Sequence, residues 1–113
     1  MKLANSGARI FVPDGSTPEE ALERTTHLGI VAHQDDLEIA AYHGILGCYE
    51  HDRNRFFGII VTDGRGSPRG GKYASFSDEE IRRIRMEEQK EAAVIGKYSG
   101  LAFLDYRSAQ ARD

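Results

Sequence analysis

Residues 28–38, LGIVAHQDDLE, decide how the chain is read. The stretch opens as a short apolar run and closes on His33 and the carboxylates of Asp35, Asp36 and Glu38. A brief continuous apolar run bounded by polar residues is the pattern of a strand covered on both faces. Beyond it, Leu37, Ile39, Ala40, Ala41, Ile45, Leu46 and Tyr49 recur at roughly helical spacing, so a helix over residues 35–50 is predicted to follow the strand directly.

Working outward, residues 55–62, RFFGIIVT, are aromatic and β-branched and predict a second buried strand. It runs into DGRGSPRGG, a loop rich in Gly, Pro and Ser. Ser77 at N-cap with Glu80 at N3 starts a second helix, in which Ile81, Ile84, Glu88, Ala92 and Ile95 carry a 3.6-residue period until Gly96 and Gly100 stop it. Residues 101–106, LAFLDY, predict a third strand. The order β-α-β-α-β with short connections argues for an α/β fold with a parallel sheet and right-handed crossovers. Residues 1–27 read as an N-terminal extension holding a short strand in ARIFV, a PDG turn and a short helix with Pro18 early in it.

A chain of 113 residues with 40% hydrophobic content supports one domain with a modest core. The formal net charge of -3 gives no electrostatic case for nucleic acid or an anionic membrane as partner. No apolar run approaches the roughly 20 residues that span a bilayer. The single cysteine, Cys48, excludes an internal disulfide, and the N-terminus has no apolar signal region, so a cytoplasmic location is expected.

In a parallel α/β sheet the ligand crevice lies beyond the carboxyl ends of the strands. His33, Asp35, Asp36, Thr62, Asp63, Asp105 and Arg107 all fall at or just after such ends. The opening motif then has two readings. In one, Asp35 is a helix N-cap with Glu38 answering at N3 as in a capping box, and His33 is an ordinary strand-end residue. In the other, His33 and Asp36 converge from one rigid turn on a zinc ion, which takes nitrogen and oxygen donors at about 2.0–2.2 Å. Asp35, between them, can take a proton from the attacking water, whose pKa zinc lowers to about 7. The loop after the second strand lacks both G-x-G-x-x-G and Walker A, because Arg69 stands where the last glycine would be. Its Arg65 and Arg69 are either mobile surface residues or a grip on a hydroxyl, phosphate or carboxylate of a ligand.

Ala32-His33-Gln34-Asp35-Asp36-x-Glu38 at the end of an apolar strand resembles the Ala-His-Pro-Asp-Asp signature of the PIG-L/LmbE-like zinc-dependent N-deacetylases. VTDGRG, the helix pattern from Arg85 through Glu88 and Ala92 to Ile95-Gly96, and FLDYR resemble later landmarks of that family in the same order. The resemblance implies that residues 28–113 are the N-terminal half of a Rossmann-like deacetylase domain. It implies His33 and Asp36 as two of three protein ligands of Zn2+ and Asp35 as the general base. It favours Arg65 and Arg69 as a grip on substrate, and Arg85, which matches the family's helix pattern, is expected to join them in substrate binding. The expected reaction is removal of acetyl from an N-acetylglucosamine-type conjugate.

Two departures stand out: Gln34 replaces the usual proline, and Tyr42-His43 stands where small residues are common. The family's third ligand, a histidine, is expected beyond Asp113, so the 113 residues are expected to be inactive by themselves. His43 follows Asp36 by two helical turns, about 10 Å, too far to share one ion; His27 and His51 are expected in solvent. An uncovered sheet edge is expected to meet a second copy of the chain or the missing half of the domain. The rival reading is a non-catalytic α/β module that binds a sugar or nucleotide at the strand-end crevice.

Overall fold

The computed structural model describes residues 3–32, 37–38, 41–62 and 77–106. Among them the chain forms a mixed α/β fold of four strands and three helices: β1 (Arg9–Phe11), α1 (Pro18–Arg24), β2 (His27–Val31), α2 (Tyr42–Cys48), β3 (Phe56–Thr62), α3 (Asp78–Ile95) and β4 (Gly100–Tyr106). The sheet order is β1-β4-β3-β2. β2, β3 and β4 run parallel, as predicted, and β1 adds an antiparallel edge to β4 through Arg9↔Phe103 and Phe11↔Leu101. The all-parallel expectation is corrected at this edge. The N-terminal segment supplies the change: Asn5 extends the pairing by donating its side-chain amide to the carbonyls of Leu104 and Asp105 at 3.1 and 3.0 Å.

Strand alternation divides the side chains between two faces. Phe56, Ile60, Leu101 and Phe103 join Leu37, Cys48, Met86, Ala93 and Tyr98 in the larger core, so α2 and α3 cover one face. Phe57 and Ala102 meet Ala21 of α1 on the other. That second cover is narrow. It leaves Leu28 and Ile30 of β2 55% and 60% exposed, so β2 is a half-covered edge strand and not the fully buried one that its apolar run suggested.

The larger core is organised around a gap in the sheet. Gly29 of β2 and Gly58 of β3 are register partners, and the side chain of Leu37, fully buried, lies across both. A Cβ on Gly29 would come within 2.9 Å of the Phe56 ring and 3.0 Å of Leu37; one on Gly58 would overlap Leu37 outright. Two absent side chains thus make room for one leucine. The sequence periodicity also holds through this point, because the Ala41 N–H bonds the Leu37 carbonyl at 2.9 Å and the Ile45 N–H bonds that of Ala41.

Helix α3 begins as predicted, with reciprocal bonds between Ser77 and Glu80. Its buried stripe is rotated from the predicted one: Ile81, Met86, Gln89 and Ala93 face inward, whereas Glu88 and Ile95 are exposed. Gly96 ends it for a steric reason. Gly96 itself is right-handed, the left-handed turn falls on Lys97 (φ 56°), and a Cβ at Gly96 would meet the Tyr98 ring at 2.7 Å. Among the described residues no helix is long and apolar enough to cross a membrane.

Filling the notch should be costly. Gly58→Ala is expected to lower unfolding free energy by about 1–3 kcal/mol through overpacking, and Leu37→Ala by about 2–5 kcal/mol through the void it leaves. Urea denaturation of each variant against wild type measures both.

Candidate active site

Because β2, β3 and β4 are parallel, their carboxyl ends share one edge of the sheet. Ala32 and Thr62 stand side by side there. The Thr62 N–H and hydroxyl both donate to the Ala32 carbonyl, at 2.8 and 2.6 Å, and Thr62 is 1% exposed. A buried threonine therefore fixes the last described residue before position 33, and Leu37 in its glycine notch fixes the first one after position 36.

Glu38 adds a polar anchor to the apolar one. Both its carboxylate oxygens accept from the Gln89 amide nitrogen, Oε1 at 3.1 Å and Oε2 at 3.0 Å, and Oε2 accepts also from the Tyr98 hydroxyl. Gln89 is wholly buried on α3, and Tyr98 packs edge-on against Phe56 with ring centroids 5.0 Å apart. The expectation that Glu38 would turn back to the start of its own helix is corrected, since its described hydrogen bonds run instead to α3 and the segment preceding β4. Burial, and then the bond to Glu38, hold the Tyr98 hydroxyl far above the ordinary tyrosine range.

The end of β4 is shaped by a bulge. Ile60 pairs with Phe103 and Thr62 with Tyr106, so three steps along β4 match two along β3. Asp105 lies in this irregularity with φ 64°, a conformation Asp tolerates better than most residues. Its Oδ1 accepts from Arg82 Nε at 2.8 Å, with the two side chains 12% and 16% exposed. Arg82 is thus held largely buried, and Asp105 is tied to α3.

Of the site residues expected from sequence, His33, Asp35, Asp36, Arg65 and Arg69 lie outside the described residues. Arg85 lies on α3, its side chain 18% exposed and its guanidinium 3.5 Å from Glu88. His27 and His51 are exposed and His27 begins β2, at the strand end opposite Ala32, so neither reaches this edge. His43 is exposed on α2. Among the described residues no three His, Cys, Asp or Glu side chains converge as a metal site. Cys48 is a buried thiol pushed upward in pKa by that burial, in keeping with a packing role.

A family model described as PIG-L, GlcNAc-PI de-N-acetylase, matches residues 28–113. The chain belongs to this family. The PIG-L match begins at the first residue of the stretch that sets the fold and takes in β2, α2, β3, α3 and β4. It makes the chain a relative of de-N-acetylases, hydrolases that act on N-acetylglucosamine conjugates. No curated protein and no solved structure gives a match.

The residues that sequence reasoning missed are Gln89 and Tyr98, the partners of Glu38. A glutamine three residues after Met86, within the inward stripe of an otherwise charged helix, was the available signal. The raised Tyr98 pKa has a measurable sign. Its protonated form is favoured in the fold, so the contribution is complete below about pH 10, the ordinary tyrosine value, and is lost as pH rises beyond it. Urea stability of the wild type is therefore expected to fall more steeply above that pH than stability of Tyr98→Phe, and parallel slopes would contradict it.

Proposed function

We propose that this chain carries the water-activating half of a zinc-dependent N-deacetylase that releases acetate from an N-acetylglucosamine-type conjugate. The observation that carries the reading is the PIG-L match over residues 28–113. The two anchors that bracket residues 33–36 support it, because a site whose ligands lie within four consecutive residues needs the chain on both flanks held.

The donor chemistry fits zinc. His33 offers an imidazole nitrogen and Asp36 a carboxylate oxygen, both donor types that zinc accepts. Zinc bound there would polarise the amide carbonyl and acidify water. Asp35 is the base that takes the proton of the attacking water. Arg65, Arg69 and Arg85 are the groups that grip the sugar conjugate; a guanidinium suits hydroxyl, phosphate or carboxylate recognition. Of these Arg85 is the one whose setting is described, and its low exposure on α3 suits a fixed cation better than a surface one.

With two protein ligands assigned, the chain alone binds zinc weakly and is inactive or nearly so in this reading. The complete domain is Rossmann-like and works in the cytoplasm. The open β2 edge, with Leu28 and Ile30 exposed beside it, receives a second copy or the other half of the domain.

Elemental analysis after equilibration with zinc tests the ligands: His33→Ala and Asp36→Ala are each expected to retain far less metal than wild type, and retention indifferent to both would overturn the zinc reading. In the active protein, Asp35→Asn is expected to keep its zinc while acetate release from an N-acetylglucosaminyl conjugate falls by about 10²–10⁴-fold. Undiminished release would remove Asp35 from the reaction.

A further inference from the structure

We propose that Glu38, locked by Gln89 and Tyr98, is a positioning residue for the metal ligands His33 and Asp36; this rests on the zinc reading of those residues. Residue 38 is joined to residue 36 through a single position, Leu37, which is itself immobilised across Gly29 and Gly58.

The chemistry of the anchor argues for a directional role over a packing one. The described partners of this carboxylate are two neutral donors, an amide and a phenol. Drawing a carboxylate into a core on neutral donors alone is a poor way to gain stability, since an apolar side chain of similar volume does as well or better. What a satisfied polar cluster supplies is a unique orientation, because each bond holds only along one direction. Here three bonds tie the start of one helix to the middle of another and to the entry of β4. They fix the rotation of the backbone at Leu37 and Glu38, which the round leucine side chain cannot do alone.

The test separates orientation from stability. Tyr98→Phe removes one hydroxyl and keeps the ring on Phe56; Glu38→Gln keeps the shape and removes the carboxylate. Cobalt(II) titration of the full 113-residue chain, read by visible absorption, gives both affinity and the geometry of the bound ion. Each variant is expected to weaken cobalt binding by about 10-fold, the low end for residues that orient ligands, and to alter the absorption band. Phe57→Leu, in the core on the opposite face, is expected to lower thermal stability while leaving affinity and spectrum unchanged. If both variants bind cobalt as wild type does while His33→Ala does not, the positioning role is overturned and the metal site stands. If wild type binds no better than His33→Ala, the metal reading and this inference fail together. Should Glu38→Gln fail to fold, Tyr98→Phe alone decides.

Discussion

Leu37 seated across Gly29 and Gly58 is the contact from which the rest of the arrangement follows. Parallel neighbours in a sheet normally present a closed carpet of side chains, and a helix can approach no nearer than that carpet allows. Removing the Cβ from two register partners opens a slot one leucine wide. The helix that follows β2 is pulled down at its beginning, close against β3, and its later residues Ile45 and Cys48 can then reach the same core as Met86 and Ala93 of α3.

With that point fixed, polar groups determine the details at the carboxyl edge. Thr62 spends both its donors on the Ala32 carbonyl, which welds the exits of β2 and β3 together. Glu38 brings α3 and the Tyr98 segment to the same place. The bulge at Asp105 and its bond to Arg82 do for β4 what Glu38 does for the first helix: each couples the rim to α3 by a partly buried, charged hydrogen bond. Helix α3 is thus the common support for two rim elements that are not sheet neighbours.

Most of the elements could be read from the sequence because short-range rules govern them. Ser77 and Glu80 form their own box regardless of context, the strand over 56–62 declares itself by β-branched and aromatic content, and that over 100–106 by a short apolar run with two aromatics. The errors lie where long-range packing overrides local pattern. LGIVA looks like a doubly covered strand, yet its cover depends on whether a helix happens to lie over Leu28 and Ile30, and α1 sits instead over Phe57 and Ala102. Glu38 looks like a capping residue until Gln89, 51 positions later, is known to face it. The likeness of residues 32–38 to a family signature was legible, and the PIG-L match bears out the family; the roles expected of His33, Asp35 and Asp36 rest on residue type alone, and the bonds that Thr62, Gln89 and Tyr98 make were not legible, because these are ordinary residues made significant by position.

The antiparallel β1 has a consequence for how this sheet can grow. Backbone groups on the outer side of β4 are taken up by β1, and past the end of β1 by the side chain of Asn5, so β4 is no longer an edge. β1 becomes the margin on that side, and it is three residues long against five in β2. A very short edge strand offers a newcomer few backbone groups, whereas β2 presents a longer edge beside the exposed Leu28 and Ile30. The N-terminal strand thereby trades a long open margin along β4 for a short one, and biases where a further strand can join.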